Sequence, residues 1–227
     1  MVDDIETLAC SPSLFSLEDF NPKANLPYGL KTEHIAEAMQ AFSEFLGFIN
    51  MQLHSKKLVR LECMLMPASF SSLVGEFMAA NIPVYCHTLV KNKYHNGHPD
   101  LVPADRFPDD AVQHSKEGIE IKGSRYPKGW QGHNPEDCYL MVFVFDSNRQ
   151  SDAAKGIAPR PFNYRQVLGA RLTKEDWNFA GRSATSRRTI TASVTDSGYK
   201  KMTKNWIYKA SGLGPANSGT CSEKTGC

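Results

Sequence analysis

Tyr139 to Phe145 reads YLMVFVF, a run with almost no polar side chain. A strand of that composition needs cover on both faces, so it belongs at the centre of a sheet with packing layers above and below. That requirement excludes a one-sided hairpin fold. It predicts a mixed α/β protein: a central mixed β-sheet flanked by helices. At 227 residues the chain is long enough to fill one such core, and its 41% hydrophobic content is ordinary for a globular protein.

Around this strand the punctuation is regular. The first 30 residues are rich in Pro and Ser and read as an irregular arm. Thr32 is a candidate N-cap for a long helix with Ile35, Met39, Phe42, Leu46, Ile49 and Leu53 on one stripe. Leu58 to Met66 reads as a strand or short helix, and Ser72 to Ile82 as a helix carrying Glu76. Ile82 to Val90 has the β-branched content of a strand. Polar or Gly/Pro-containing loops are expected over Pro103 to Ser115 and Tyr126 to Asp137, and a linker or flexible loop over 149 to 161. Gln166 to Leu172 and Arg187 to Val194 read as further strands. Thr173 and Asp176 form a candidate cap, and a last helix begins at Asp196.

The chemistry concentrates in Gly118-Ile119-Glu120-Ile121-Lys122, downstream of Pro99-Asp100. Side chains alternate along a strand, so Ile119 and Ile121 anchor one face while Glu120 and Lys122 project together from the other. A hairpin brings Asp100 alongside. Two carboxylates around one point make a hard oxygen site for a divalent ion such as Mg2+. A lysine beside that ion can hold a water or a developing negative charge, and these are the parts that hydrolyse a phosphodiester.

The pattern Pro99-Asp100, then Glu120-Ile121-Lys122, with Glu76 on an upstream helix, resembles the PD-(D/E)XK nuclease superfamily, which includes most type II restriction endonucleases. The resemblance covers roughly residues 70 to 146. It implies a restriction-endonuclease-like core and a Mg2+-dependent endonuclease, with Mn2+ as a possible substitute, cutting foreign double-stranded DNA. In this chain it implies Asp100, Glu120 and Lys122 as catalytic residues, and Asp100, Glu120 and Glu76 as metal ligands. A repair or junction-resolving nuclease shares the chemistry. A sequence-specific DNA-binding protein that does not cut is the alternative from another class.

Charge distribution points the same way. Arg149 to Lys209 holds 13 Lys/Arg against 4 Asp/Glu, whereas residues 1 to 148 hold 12 against 19. A basic segment beside an acidic one suits a polyanion. Candidate DNA contacts are Ser124, Arg125, Gln131 and His133 beyond the Glu-x-Lys strand, and Arg182, Arg187 and Arg188 in a Ser/Thr/Arg loop. Residues 1 to 209 are expected to form one nuclease domain: catalytic core at 70 to 146, basic DNA-contacting elaboration of the same sheet at 150 to 209, and a flexible tail at 210 to 227. A homodimer is expected, because two copies about a two-fold axis present two sites to antiparallel strands. The Thr32 to Leu53 stripe and the aromatic side of the last helix, Tyr199 and Trp206, are candidate interface faces.

Other chemistries lack their parts. His95-Asn96-Gly97-His98 has no partner ligands at zinc-finger spacing and no ββα context, so a turn before Asp100 is expected. Gly212 to Thr220 lacks the Gly-Lys-Ser/Thr ending of a phosphate loop, so no nucleotide cofactor is expected. MVDDIETLAC has neither the basic nor the apolar region of a signal peptide, and no apolar run approaches a bilayer span. A cytoplasmic protein with no membrane partner and six reduced cysteines is expected.

Overall fold

The computed structural model describes residues 4–132, 134–179 and 192–211. Its helices are α1 (Ile5–Cys10), α2 (Thr32–Ser55), α3 (Leu61–Met64), α4 (Pro67–Tyr85) and α5 (Asp196–Lys204). Its strands are β1 (Leu89–Lys91), β2 (Leu101–Pro103), β3 (Ile119–Ser124), β4 (Gln131–Gly132), β5 (Tyr139–Asp146), β6 (Asn163–Arg171), β7 (Trp177–Phe179), β8 (Ala192–Val194) and β9 (Trp206–Lys209). Six strands form a mixed sheet in the order β1-β2-β3-β5-β6-β9, and β4-β8-β7 form a second, smaller sheet. No helix among the described residues is long and apolar enough to cross a membrane.

β5 is the central strand its composition demands. Met141, Phe143 and Phe145 point into a core built with Ile35, Met39 and Phe42 of α2 and Phe70, Val74 and Met78 of α4. Leu140, Val142 and Val144 point the other way, into a core shared with Trp130, Leu168, Leu172, Trp177 and Met202. Each fully buried Val, Leu or Phe contributes about 1.5–3 kcal/mol, so this one strand secures both layers. The α2 stripe is consumed here: Ile35, Met39, Phe42 and Leu46 are wholly buried, and it is core rather than a free interface. Tyr199 packs on Trp130, with ring centroids 5.7 Å apart.

Five expectations change. Thr32 is the first residue of α2 rather than its cap; Lys31 holds the cap position, and its N–H donates to His34 Nδ1 at 3.2 Å. Ile82 to Tyr85 end α4 instead of beginning a strand, because Ile82 packs inward with Val74 and Met78, and the strand starts only at Leu89. The 126–137 loop contributes β4 to the second sheet. The 150–209 region is not wholly an elaboration of one sheet: β6 and β9 extend the large sheet while β7 and β8 build the small one.

The 149–161 segment is not a free linker. The buried Arg60 guanidinium donates to Arg160 O at 3.1 Å and to Asn148 Oδ1 at 2.9 Å, and Asn148 Nδ2 donates to Ala158 O at 3.1 Å. Arg60 also pairs with the buried Glu62 at 2.6 Å. The network joins this segment to the region just before α4, where no hydrophobic pattern signals it.

α4 and β3 approach closely because glycines face each other. A Cβ on Gly75 would lie 3.3 Å from Gly123 N, and one on Gly123 would lie 2.9 Å from Val74 Cβ and collide with Ser71 O. We predict that Gly123→Val lowers unfolding stability by about 1–3 kcal/mol, since overpacking must push the helix off the strand. Urea denaturation followed by circular dichroism measures it, and an unchanged midpoint would contradict the packing.

Candidate active site

β3 carries its four leading side chains as the alternation requires. Ile119 and Ile121 enter the α2/α4 core, and Glu120 and Lys122 stand on the opposite face. Parallel pairing sets Glu120 against Leu140 and Lys122 against Val142. β2 joins antiparallel at Leu101 and Ile119, which delivers Asp100 to the same end of the sheet. Its Oδ2 accepts the Ile121 N–H at 2.8 Å, so a backbone donor fixes the carboxylate's orientation. A cleft of about 1060 Å³ opens there, lined by Asp100, Glu120, Glu76, His98 and Glu136, with Lys91, Lys93, Lys116 and Lys174 around it.

Both oxygens of Glu120 are engaged. Oε1 accepts from Lys122 Nζ at 2.8 Å, and Oε2 pairs with His98 Nδ1 at 2.9 Å. Burial works against the Glu120 charge, but the His98 hydrogen bond and the Lys122 charge outweigh it and hold the carboxyl down at about 2. Asp100 goes the other way. Burial, then repulsion from Glu120, push it up to about 7 against the opposing pull of the Ile121 N–H and Lys122. Burial also disfavours the Lys122 ammonium, yet Glu120, Glu136 and Asp100 together hold it above the usual lysine range. Lys122 is therefore a firmly charged donor rather than a proton acceptor.

Glu76 lies at the cleft mouth and pairs with Lys91 at 2.9 Å. Ser124 closes its own turn: its hydroxyl and the backbone of Tyr126 exchange hydrogen bonds at 3.0 Å. Arg125 turns inward, over the rings of Phe70 and Phe145 at 5.2 and 5.1 Å, and donates to Ser147 O at 2.8 Å. Neither lines the cleft. Gln131 is exposed on β4. His133, Arg182, Arg187 and Arg188, and the tail from 212 onward, lie outside the described residues.

Several basic residues of the 149–209 segment are paired within the chain. Arg160 bonds Asp146 at 3.1 Å, Arg171 bonds Asp137 at 3.4 Å, and Lys201 bonds Asp176 at 2.6 Å. Three of the four lysines around the cleft come from residues 91 to 116, and these too are paired: Lys91 with Glu76, Lys93 with Asp110 and Lys116 with Asp137. The uneven charge along the sequence therefore does not map simply onto the cleft.

Sequence reasoning passed over His98, Glu136 and Cys138. The turn before Asp100 is present, made by Asn96 at φ 56° rather than by Gly97. It sets His98 on Glu120 and, through Nε2, 3.5 Å from Cys138 Sγ. One ligand atom each from His98, Glu136 and Cys138 lies within 4.8 Å of the others. The partners that His98 lacks at finger spacing come from Glu136 and Cys138 across the sheet. The signal was the position of Cys138, immediately before the central strand whose first pair meets β3.

Comparison with protein-family models, with curated proteins and with solved structures finds no match.

The Asp100 carboxyl gives a pH prediction. Its pKa is raised on folding, so the stability linked to its proton is present below its ordinary value of 3.8 and is lost as pH rises through about 7. In metal-free buffer, Asp100→Asn should therefore melt higher than the parent at pH 8, and the gap should close toward pH 4. The asparagine Oδ1 still accepts the Ile121 N–H. Thermal denaturation across that range checks it; a gap that widens toward acid would refute the assignment.

Proposed function

We propose that this chain is a metal-dependent endodeoxyribonuclease of restriction type, acting on double-stranded DNA in the cytoplasm. The observation that carries the reading is that Asp100 and Glu120 line one cleft, with Asp100 held by the β3 backbone and Lys122 bonded to Glu120 from the same strand. The donor set fits Mg2+ or Mn2+. It is two carboxylates, one of them pushed toward neutrality by burial and then by repulsion from the other, and a divalent cation would offset both. Asp100 and Glu120 would hold the ion, with Glu76 at the cleft mouth as an outer acceptor. When bound, the ion neutralises charge on the scissile phosphate and acidifies a bound water.

The remaining work falls to the side chains. Lys122 keeps its proton at Nζ, anchored on Glu120 Oε1, and presents positive charge where negative charge develops on the phosphate. Glu120 retains lone pairs beyond its two hydrogen bonds, so its pairing with Lys122 and His98 does not exhaust it as a ligand. Lys91, Lys93 and Lys116 are each paired with an acid of the chain, and with Lys174 they would meet a polyanion at the cleft by exchanging those pairs for phosphates. A homodimer remains part of the proposal, with any two-fold contact made by surfaces other than the buried α2 stripe.

Asp100→Asn, Glu120→Gln and Lys122→Met should each lower plasmid cleavage in Mg2+ by at least about 100-fold while DNA stays bound. Full activity of purified Glu120→Gln would refute the site. Binding should weaken with salt at a log-log slope of about −0.9 per phosphate neutralised. Replacing Lys93 and Lys116 together by Gln should flatten that slope; an unchanged slope would move the DNA surface elsewhere.

A further inference from the structure

We propose that His98, Glu136 and Cys138 form a zinc site, separate from the paired-carboxylate site and standing directly behind Glu120. His98 Nδ1 faces Glu120 Oε2 at 2.9 Å, which leaves Nε2 facing Cys138 Sγ. A carboxylate that receives the Nδ1 proton while Nε2 turns to a metal is the usual support of a zinc-bound histidine.

The spacing agrees. With Zn–S about 2.3 Å and Zn–N about 2.0 Å, two tetrahedral ligands stand about 3.5 Å apart, and His98 Nε2 and Cys138 Sγ are 3.5 Å apart.

The third donor is an independent sign. Glu136 is only 8% exposed, and its Oε2 is buried with no hydrogen-bond partner. A buried carboxylate oxygen left unpaired is costly unless something neutralises it. One carboxylate oxygen of Glu136 lies within 4.8 Å of the other two donors, on the stretch between β4 and β5, so a small inward movement completes a three-ligand set. His98 and Glu136 line the cleft, which leaves the fourth position toward solvent.

One imidazole, one thiolate and one carboxylate select a borderline-soft ion such as Zn2+ over Mg2+. As the S–Zn bond forms, the Cys138 thiol proton passes to solvent. The bound ion ties together the turn before Asp100, the 134–137 stretch and the start of β5. His98 is then a positioning residue for Glu120.

The test needs no DNA, so it stands or falls separately from the nuclease reading. Full-length protein is stripped with a chelator and titrated with Co2+, whose thiolate complexes absorb in the near ultraviolet and whose tetrahedral complexes absorb strongly in the visible. The expected result, with excess Mg2+ present to occupy the carboxylate site, is one Co2+ per chain with both absorptions, displaced by Zn2+. Cys138→Ala should abolish the thiolate band, and Glu136→Gln should weaken binding at least about 10-fold. Should Cys138→Ala fail to fold, Glu136→Gln decides. Zn2+ should also raise the melting temperature of the parent and not of Glu136→Gln. The proposal is overturned if no thiolate band forms, meaning that Cys138 and His98 share only a hydrogen bond. It is also overturned if the band survives in Cys138→Ala, or if Glu136→Gln binds as tightly as the parent.

Discussion

Everything at the cleft depends on how Glu120 is held. A carboxylate this deeply placed must be paired to stay ionised. Glu120 is paired twice, to Lys122 on its own strand and to His98 on the turn before β2. Lys122 reaches it because the two share a face of β3. His98 reaches it because β2 lies beside β3 and brings the preceding turn with it. The pairing explains why the two nearby acids diverge: Glu120 has Lys122 and His98 as direct partners, while Asp100, pushed up by burial and then by Glu120, has a backbone N–H. Carboxylates of unequal protonation in one cleft are the raw material of acid–base and metal chemistry alike.

The fold serves this arrangement through the two faces of its large sheet. One face is closed by α2 and α4, whose aromatic and aliphatic side chains meet Ile119, Ile121, Met141 and Phe143. The other is covered by the small sheet and α5 at β5 and β6, where Leu140, Val142 and Leu168 pack. Glu120 and Lys122 stand on that second face one strand further out, at β3, beside the open cleft. Gly75 and Gly123 let α4 sit close against β3 from behind, which fixes the strand that carries both charges.

Much of this was legible from residues alone. The apolar run at 139–145 announced a strand covered on both sides, and the alternation through 119–122 announced that Glu120 and Lys122 would share the face away from the isoleucines. The Pro99-Asp100 placement announced a carboxylate beside Glu120. What stayed hidden depends on tertiary contact. Ile82 to Tyr85 look like strand but are drawn into α4 by burial of Ile82. Arg125 looks like a phosphate ligand beside a catalytic strand, but its guanidinium finds two aromatic rings across the core. His98 is far in sequence from Glu136 and Cys138, and the three match no zinc-finger spacing. Only the pairing of β2, β3 and β5 gathers them.

The most direct test of the account is where a divalent ion sits. Crystals soaked in Mn2+ and measured at the manganese absorption edge should show an anomalous peak within bonding distance of Asp100 and Glu120, absent from Asp100→Asn crystals. Manganese is the suitable probe because it accepts hard oxygen donors as Mg2+ does and scatters anomalously. A peak at that point confirms that the crowded carboxylates exist to hold a cation. No peak at the cleft, or an equal peak in Asp100→Asn, contradicts the central claim.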